Sequence, residues 1–437
     1  MRRNLSIYTR SHLNLALLLA TFAAPALADW PQWAGPSRDW HAAPRAKELA
    51  STWPAEGPKV LWRHALGEGY SSIAVQGGIA VTLFRRGDEE SAIAFDEATG
   101  RELWRHSWQE PAQRFNDRFG LGPYSTPSIR GPIDARATGG GATHGGFVVV
   151  VSSGAQVRAL DLETGELRWR RDLWREIAAP EQAGPGYTPS PLIVESRQGP
   201  LVILPLGHAE GKGVVALHLE SGKLAWSSGD DAGAHSSPIL ASLGGHRQVV
   251  VVSKAEIAGL DPSTGNRFWR LAHENPNGAN VLTPLATDTG VFVSSGPDKG
   301  SRLLKVRPSA DRTITADEAW SSPRLRIFYS NAVRIGSELI GSNGGVGPAM
   351  LTAVRFATGD VLWRNREVGR ANLVVAGAHL LALEDDGTLL LLRADAEGLQ
   401  ILARHPLFPD RSWTPPALAG RRLFARDREH IVALELP

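Results

Sequence analysis

The chain repeats itself. Ala94-Phe95-Asp96-Glu97-Ala98-Thr99-Gly100-Arg101-Glu102-Leu103-Trp104 returns as Ala159-Leu160-Asp161-Leu162-Glu163-Thr164-Gly165-Glu166-Leu167-Arg168-Trp169, and weaker copies end at Trp226, Trp269 and Trp363. The third copy has His218 for the Asp and Ser221 for the Thr, whereas the fourth keeps Asp261, Thr264 and Gly265. The copy ending at Trp363 retains Thr358-Gly359 but carries Arg355 at the Asp position. A repeat of this kind means one supersecondary unit used many times, each copy burying its apolar faces against its neighbours.

The unit reads as a hairpin. An alternating apolar strand enters, an Asp/Thr/Gly turn reverses the chain, and a second strand leaves toward Trp. Glycine supplies the positive φ a tight turn needs, and the Trp offers a large apolar surface whose indole N–H still requires an acceptor. Ahead of each hairpin lies a polar lead-in followed by a β-rich run. The lead-ins are Tyr70-Ser71-Ser72, Tyr124-Ser125-Thr126-Pro127, Tyr187-Thr188-Pro189, His235-Ser236-Ser237-Pro238, Leu282-Thr283-Pro284, Tyr329-Ser330-Asn331 and Trp413-Thr414-Pro415. One lead-in, two inner strands and one hairpin make a four-stranded unit of roughly 40 to 50 residues, the size of a propeller blade.

Closing residues at Trp104, Trp169, Trp226, Trp269, Trp320 and Trp363, with a degraded copy near Ala403, count seven blades. The segment from Trp413 to Pro437 begins an eighth and stops, while Lys59-Val60-Leu61-Trp62-Arg63 supplies a closing strand at the other end of the chain. The expected fold is therefore all-β: an eight-bladed β-propeller of four-stranded antiparallel blades, closed by N- and C-terminal strands sharing one blade. A length of 437 residues would otherwise admit two or three domains, but a ring cannot be cut into separately packed halves. One domain over 29–437 is expected, with a single helical turn at most, over Trp174 to Ala179.

Residues 1–28 read as a signal peptide. Arg2, Arg3 and Arg10 precede the apolar run Leu13 to Ala24, and Pro25-Ala26-Leu27-Ala28 ends in small residues suited to cleavage before Asp29. A periplasmic or secreted protein that does not span the membrane is expected, because that run is short for a span. Removing three Arg from 47 basic residues leaves the remainder balanced against 45 acidic ones, without a basic stripe, so nucleic acid is not an expected partner. With no Cys, disulfides, thiolate metal sites and lipid attachment through an N-terminal Cys are excluded.

The hairpin repeat, together with Asp29-Trp30-Pro31-Gln32-Trp33-Ala34-Gly35-Pro36, resembles the pyrroloquinoline quinone (PQQ)-like β-propeller repeat family across essentially all of 29–437. The resemblance implies that Trp104, Trp169, Trp226, Trp269 and Trp363 dock adjacent blades. It also implies two functional branches. In quinoprotein dehydrogenases PQQ sits with Ca²⁺ in the central funnel and an Asp acts as base; in BamB-like propellers the fold is a non-enzymatic scaffold. Adjacent cysteines found in several of the dehydrogenases are missing here, as is the acylated N-terminal Cys of the scaffold branch.

Innermost strands begin at the lead-ins, so Tyr70, Tyr124, Tyr187, His235, Asn280, Tyr329, Asn331, Asn372 and Trp413 are expected around one end of the channel. Of these, His235, Tyr329, Asn331, Trp413, Tyr124, Tyr187 and Asn372 form the candidate ligand site, since aromatic faces and amides suit a flat polar ligand. Ordered water sealing the ring is the plainer role for the same residues. Glu384-Asp385-Asp386-Gly387 is read as a hairpin turn rather than a cation site, and no metal site or catalytic residue is assigned. Gly139-Gly140-Gly141 and Gly344-Gly345 lack a following helix and are not phosphate loops. The expected function is a monomeric binding or scaffold module that takes a small polar ligand or a protein partner at the funnel face. The alternative is a small quinoprotein oxidoreductase, acting on alcohols or sugars with PQQ and Ca²⁺.

Overall fold

The computed structural model describes residues 29–43, 49–111, 120–132, 145–176, 186–208, 210–275, 278–296, 299–309 and 313–437. The signal-peptide reading of 1–28 and the Gly139–Gly141 run lie outside these residues. Eight four-stranded antiparallel sheets form the ring of a β-propeller. Blades 1 to 7 span 74–109, 128–172, 192–228, 239–272, 285–322, 327–365 and 371–406. Blade 8 combines Ala417–Ala419, Arg422–Arg426 and His430–Glu435 with Lys59–Ala65, the first strand of the chain.

Each blade is sandwiched between two others, so its middle strands are apolar on both faces. Phe147–Val151 and His379–Glu384 are buried at every position. The outermost strands border solvent and alternate; along Glu102–Gln109 only Trp104 and Trp108 are buried. The helical turn anticipated near Trp174 is Leu173–Glu176.

The repeat motif sets the register of the third and fourth strands. A bulge falls at the same place in successive blades, after Ala94, Ala159, Ala216, Gly259 and Ala353, and it seats the motif Trp directly across from that small residue. The turn between the strands is built by its Asp. Asp96 Oδ1 accepts bonds from the Thr99 backbone N–H at 2.9 Å and its hydroxyl at 2.7 Å, and Gly100 N–H closes onto Asp96 O at 2.9 Å. Those Thr99 bonds hold the Asp96 carboxyl below the usual range.

Each turn also receives the Trp of the preceding blade. Trp62, Trp104, Trp169, Trp226 and Trp320 lie over Gly100, Gly165, Gly222, Gly265 and Gly359. Their indole N–H groups donate to carbonyls of the same turns: Glu97 at 3.0 Å, Leu162 at 2.9 Å, Leu219 at 2.7 Å, Pro262 at 3.1 Å and Phe356 at 2.9 Å. The turn glycine is therefore doubly required. Gly165 has φ 72°, and a Cβ there would stand 2.6 Å from the Trp104 ring.

Two exceptions follow from the same contact. Blade 5 lacks the Thr-Gly turn, and Trp269, which faces it, donates to Gln248 of its own blade at 2.6 Å instead. Blade 8 has no third-to-fourth turn at all, because those strands are the two ends of the chain. Blade 7, which precedes it, has Ala403 opposite Leu391, the large and small partners exchanged.

The ring closes where Lys59 pairs with Glu435, Val60 with Leu434 and Ala65 with His430. Trp62 then serves blade 8 as the motif Trp serves the others, and His64 stacks on Phe95 of blade 1 at 5.1 Å. Arg426, fully buried on blade 8, donates to Leu83 O of blade 1 at 2.7 Å and to Ser71 O at 3.3 Å. Truncating the chain after Glu429 removes the strand that joins the two ends and exposes two sheet edges. Circular dichroism on heating should then lose its single sharp transition; an unchanged melt would mean that closure does not hold the ring.

Candidate functional site

The lead-ins position the channel wall. Counted back from the Pro that opens the inner strand, Ser or Thr recurs one residue before it, at Thr126, Ser190, Ser237 and Thr283. Blade 1 has Ser72 there. These hydroxyls tie blade to blade: Ser72 N–H donates to Thr126 Oγ1 at 3.0 Å, Thr126 N–H to Ser190 Oγ at 3.0 Å, and Ser190 N–H to Ser237 Oγ at 2.9 Å. Thr283 turns instead toward the channel, where its hydroxyl accepts from Trp33 Nε1 at 2.8 Å.

Trp33 belongs to a segment that repeats nothing else in the chain. Residues 29–43 lie across the channel and bond to the innermost strands around it. Trp30 exchanges backbone bonds with Val75 of blade 1 at 2.9 and 2.8 Å, Pro31 O accepts from Ile129 of blade 2 at 2.8 Å, and Trp40 O and Ala42 N bond Val375 of blade 7, both at 2.9 Å. Arg38 reaches blades 3 and 4, donating to Pro191 O and, at 2.7 Å, to Pro238 O. Burial pulls its pKa down to about 9, so it remains a cation at neutral pH, and these carbonyls offset the loss of water. Ala34, Arg38 and Trp40 all take left-handed backbone, at φ 62°, 55° and 66°. The segment was visible in the sequence, but no pattern in it announced a plug.

Above the plug lies a cup of about 310 Å³. Trp33 and Trp40 line it from the plug, packed edge to face at 5.1 Å. One wall is a run of near-parallel rings: Tyr124 on Tyr70 at 5.4 Å, Tyr70 on Trp413 at 5.9 Å, and Trp413 on Tyr329 at 6.1 Å. Tyr329 arrives there by a break in its ladder. The register slips between Ile327 and Ala332, Tyr329 adopts φ 55°, and Phe328, Tyr329, Ser330 and Asn331 all line the cup. The opposite side is neutral and polar, with Thr188, Ser190, His235, Ser237 and Thr283. His235 shares a 2.8 Å bond with Thr188 Oγ1, and burial pushes its pKa down, which keeps the imidazole uncharged.

Of the seven residues expected to form the ligand site, six line this cup: His235, Tyr329, Asn331, Trp413, Tyr124 and Asn372. Tyr187 does not. It is buried in the core beside Trp174, and Thr188 occupies the wall position on blade 3. The strand-opening proline of that lead-in is Pro191 rather than Pro189, so the equivalent of Tyr124 falls one residue later. Asn280 is likewise elsewhere, accepting from Ser295 Oγ at 2.6 Å and donating to Ser253 O at 2.7 Å. The two cup amides are already committed between blades. Asn331 both donates to Leu373 O and accepts from Leu373 N–H at 2.7 Å, and Asn372 donates to Trp413 O at 3.0 Å. Glu384 to Gly387 is the hairpin turn of blade 7, with Gly387 N–H on Glu384 O at 3.0 Å.

Residues 34–119 and 88–323 match the family described as outer membrane protein assembly factor BamB, and the chain belongs to this family of PQQ-like repeat propellers. BamB from Moraxella catarrhalis has the same fold: TM-score 0.58, 18% identity, 86% of this chain and 97% of that one covered. The quinohemoprotein alcohol dehydrogenase of Comamonas testosteroni aligns over 94% of this chain and 80% of its own, with a TM-score of 0.44 and 12% identity. No curated protein matches the chain in sequence.

Two buried imidazoles make stability pH-dependent. His273, bonded to Ser295 Oγ at 2.8 Å, is held down to about 4, chiefly by burial and then by Arg302 and Lys299. The unfolded chain takes up these protons near pH 6.5, before the folded one can, so stability is complete above that pH and declines as pH falls toward 4. Urea unfolding at pH 7 and pH 5 should show the fall, and His273→Asn should flatten it. Equal stability at both values would mean that neither imidazole is held neutral.

Proposed function

We propose that this protein is an exported binding or scaffold module of the cell envelope, with its ligand or partner side chain seated in the cup above the plug. The family's description as an outer membrane protein assembly factor supports a periplasmic location and a protein partner. The N-terminal pattern ending at Ala28 supports export, with Asp29 as the first mature residue. Among the described residues no helix is long and apolar enough to cross a membrane.

The observation that carries this reading is the charge of the cup. Among the described residues its lining has no Asp, Glu, Lys or Arg. PQQ bears three carboxylates, and Ca²⁺ takes oxygen ligands that are commonly carboxylates. The cup supplies no side-chain cation for the quinone and no carboxylate for the metal, and its two amides are bonded between blades. PQQ with Ca²⁺ does not fit this donor set, and among the described residues lining the cup there is no carboxylate to act as base for alcohol oxidation. Aromatic faces with neutral hydroxyls are instead the chemistry of a recognition pocket.

Calorimetric titration with PQQ and Ca²⁺ should give only heats of dilution, and dye-linked oxidation of alcohols or sugars should stay at background. Turnover that needs both additions and disappears in Tyr329→Ala or Trp413→Ala would replace the binding module with the quinoprotein reading.

A further inference from the structure

A second cavity, of about 600 Å³, opens beside the cup at the junction of blades 7 and 8. Its lining is as charged as the cup is neutral. Asp385, Asp386, Asp410, Asp427 and Glu429 face Arg411 and Arg428, five carboxylates against two guanidinium groups. Those two cations are partly engaged already. Arg428 lies 3.3 Å from Glu68, and Arg411 stands 4.7 Å from the centroid of Trp413. Asp427 is taken up by the Glu429 and His430 backbone N–H groups, at 2.8 and 2.6 Å. Burial pushes the Asp385 carboxyl up, with Arg370 opposing that rise.

One residue lines both cavities: Tyr70. Its ring belongs to the aromatic wall of the cup, stacked between Tyr124 and Trp413. Burial raises the Tyr70 phenol above its ordinary pKa, with Arg428, Arg411 and Arg426 opposing that rise and Glu68 adding to it. That residue is only 8% exposed, and its buried hydroxyl has no hydrogen-bond partner among the described residues. An unpaired buried hydroxyl is costly unless something else satisfies it. Here it stands between a neutral aromatic chamber and an acidic one.

We infer that the two cavities form one composite site for an organic cation with a flat apolar body. The body stacks on Tyr124, Tyr70, Trp413 and Tyr329, and the ammonium group lies beside the Tyr70 hydroxyl among the carboxylates. The wall already holds one cation, Arg411 on Trp413, so its faces are disposed for cation–π attraction. Surplus carboxylates add long-range attraction and disfavour an anion of the same shape. This inference rests on the cup being a binding pocket and adds the charge of what it binds.

Three probes of one shape separate the two ideas: 1-naphthylmethylammonium, 1-naphthalenemethanol and 1-naphthoate, each titrated calorimetrically into the full-length protein. The ammonium should bind about tenfold tighter than the alcohol, the scale of one charge contact, and the carboxylate more weakly than either. The D386N/D410N double substitution should bring the ammonium to the alcohol's affinity and leave the alcohol unchanged. Tyr70→Phe, which keeps the ring, should weaken the ammonium alone. Added salt should compress the preference in the unmodified protein, which tests the charge without any substitution. If the alcohol binds and the ammonium is no better, the cation site is wrong while the cup survives as a pocket. A preference that persists in the double variant or at high salt also overturns it. If none of the three binds, the cup itself is not a small-ligand pocket and both readings fall.

Discussion

The contact on which the ring depends is an indole laid across the glycine of a neighbour's turn. It joins four demands at one point. Apolar surface is buried, the indole N–H finds a carbonyl, the glycine takes a backbone that side chains avoid, and the absent Cβ leaves room for the ring. The bulge that seats each Trp opposite a small residue fixes where along the strand this happens. Blades 1, 2 and 3 each supply the Trp for one side and the turn for the other, so the contact propagates from blade to blade. The two strands at the chain ends complete it.

A ring built this way leaves an axial channel, and its inner strands have an unpaired edge. The hydroxyls of Ser72, Thr126, Ser190 and Ser237 bond successive blades around that edge, and residues 29–43 cover much of what remains. Arg38 anchors the plug by donating to carbonyls rather than to a carboxylate, which holds a cation in the interior without adding an acid to the channel. The consequence is chemical. A channel closed by Trp33 and Trp40 becomes a blind cup, walled by aromatic rings and neutral hydroxyls.

The fold was legible because the contact that builds it is written as a motif. Gly100 and Gly165 with their Trp partners set the repeat, and even its lapses have meaning: Ala403 replaces Trp where the next blade has no turn to receive it. The cup was legible only in part. Tyr70, Tyr124, His235 and Trp413 fall where the lead-in pattern puts them, yet Tyr187 sits in the core because its lead-in has two prolines and the second opens the strand. Asn331 and Asn372 reach the cup with their amides already bonded between blades, a matter of partners that residue type does not reveal. The plug had no repeat to betray it, since its bonds run to blades scattered through the whole sequence.

The wedge itself is tested most directly by a double-mutant cycle between Trp104→Leu and Gly165→Ala, read by urea unfolding. Alone, the added methyl meets both a positive φ and the Trp104 ring, and should cost about 1–3 kcal/mol. With the ring removed, only the backbone strain remains, so the same methyl should cost less by about 1 kcal/mol or more. Additive costs, with no coupling between the two sites, would mean that the indole does not bear on the turn and that the blades are held together by something else.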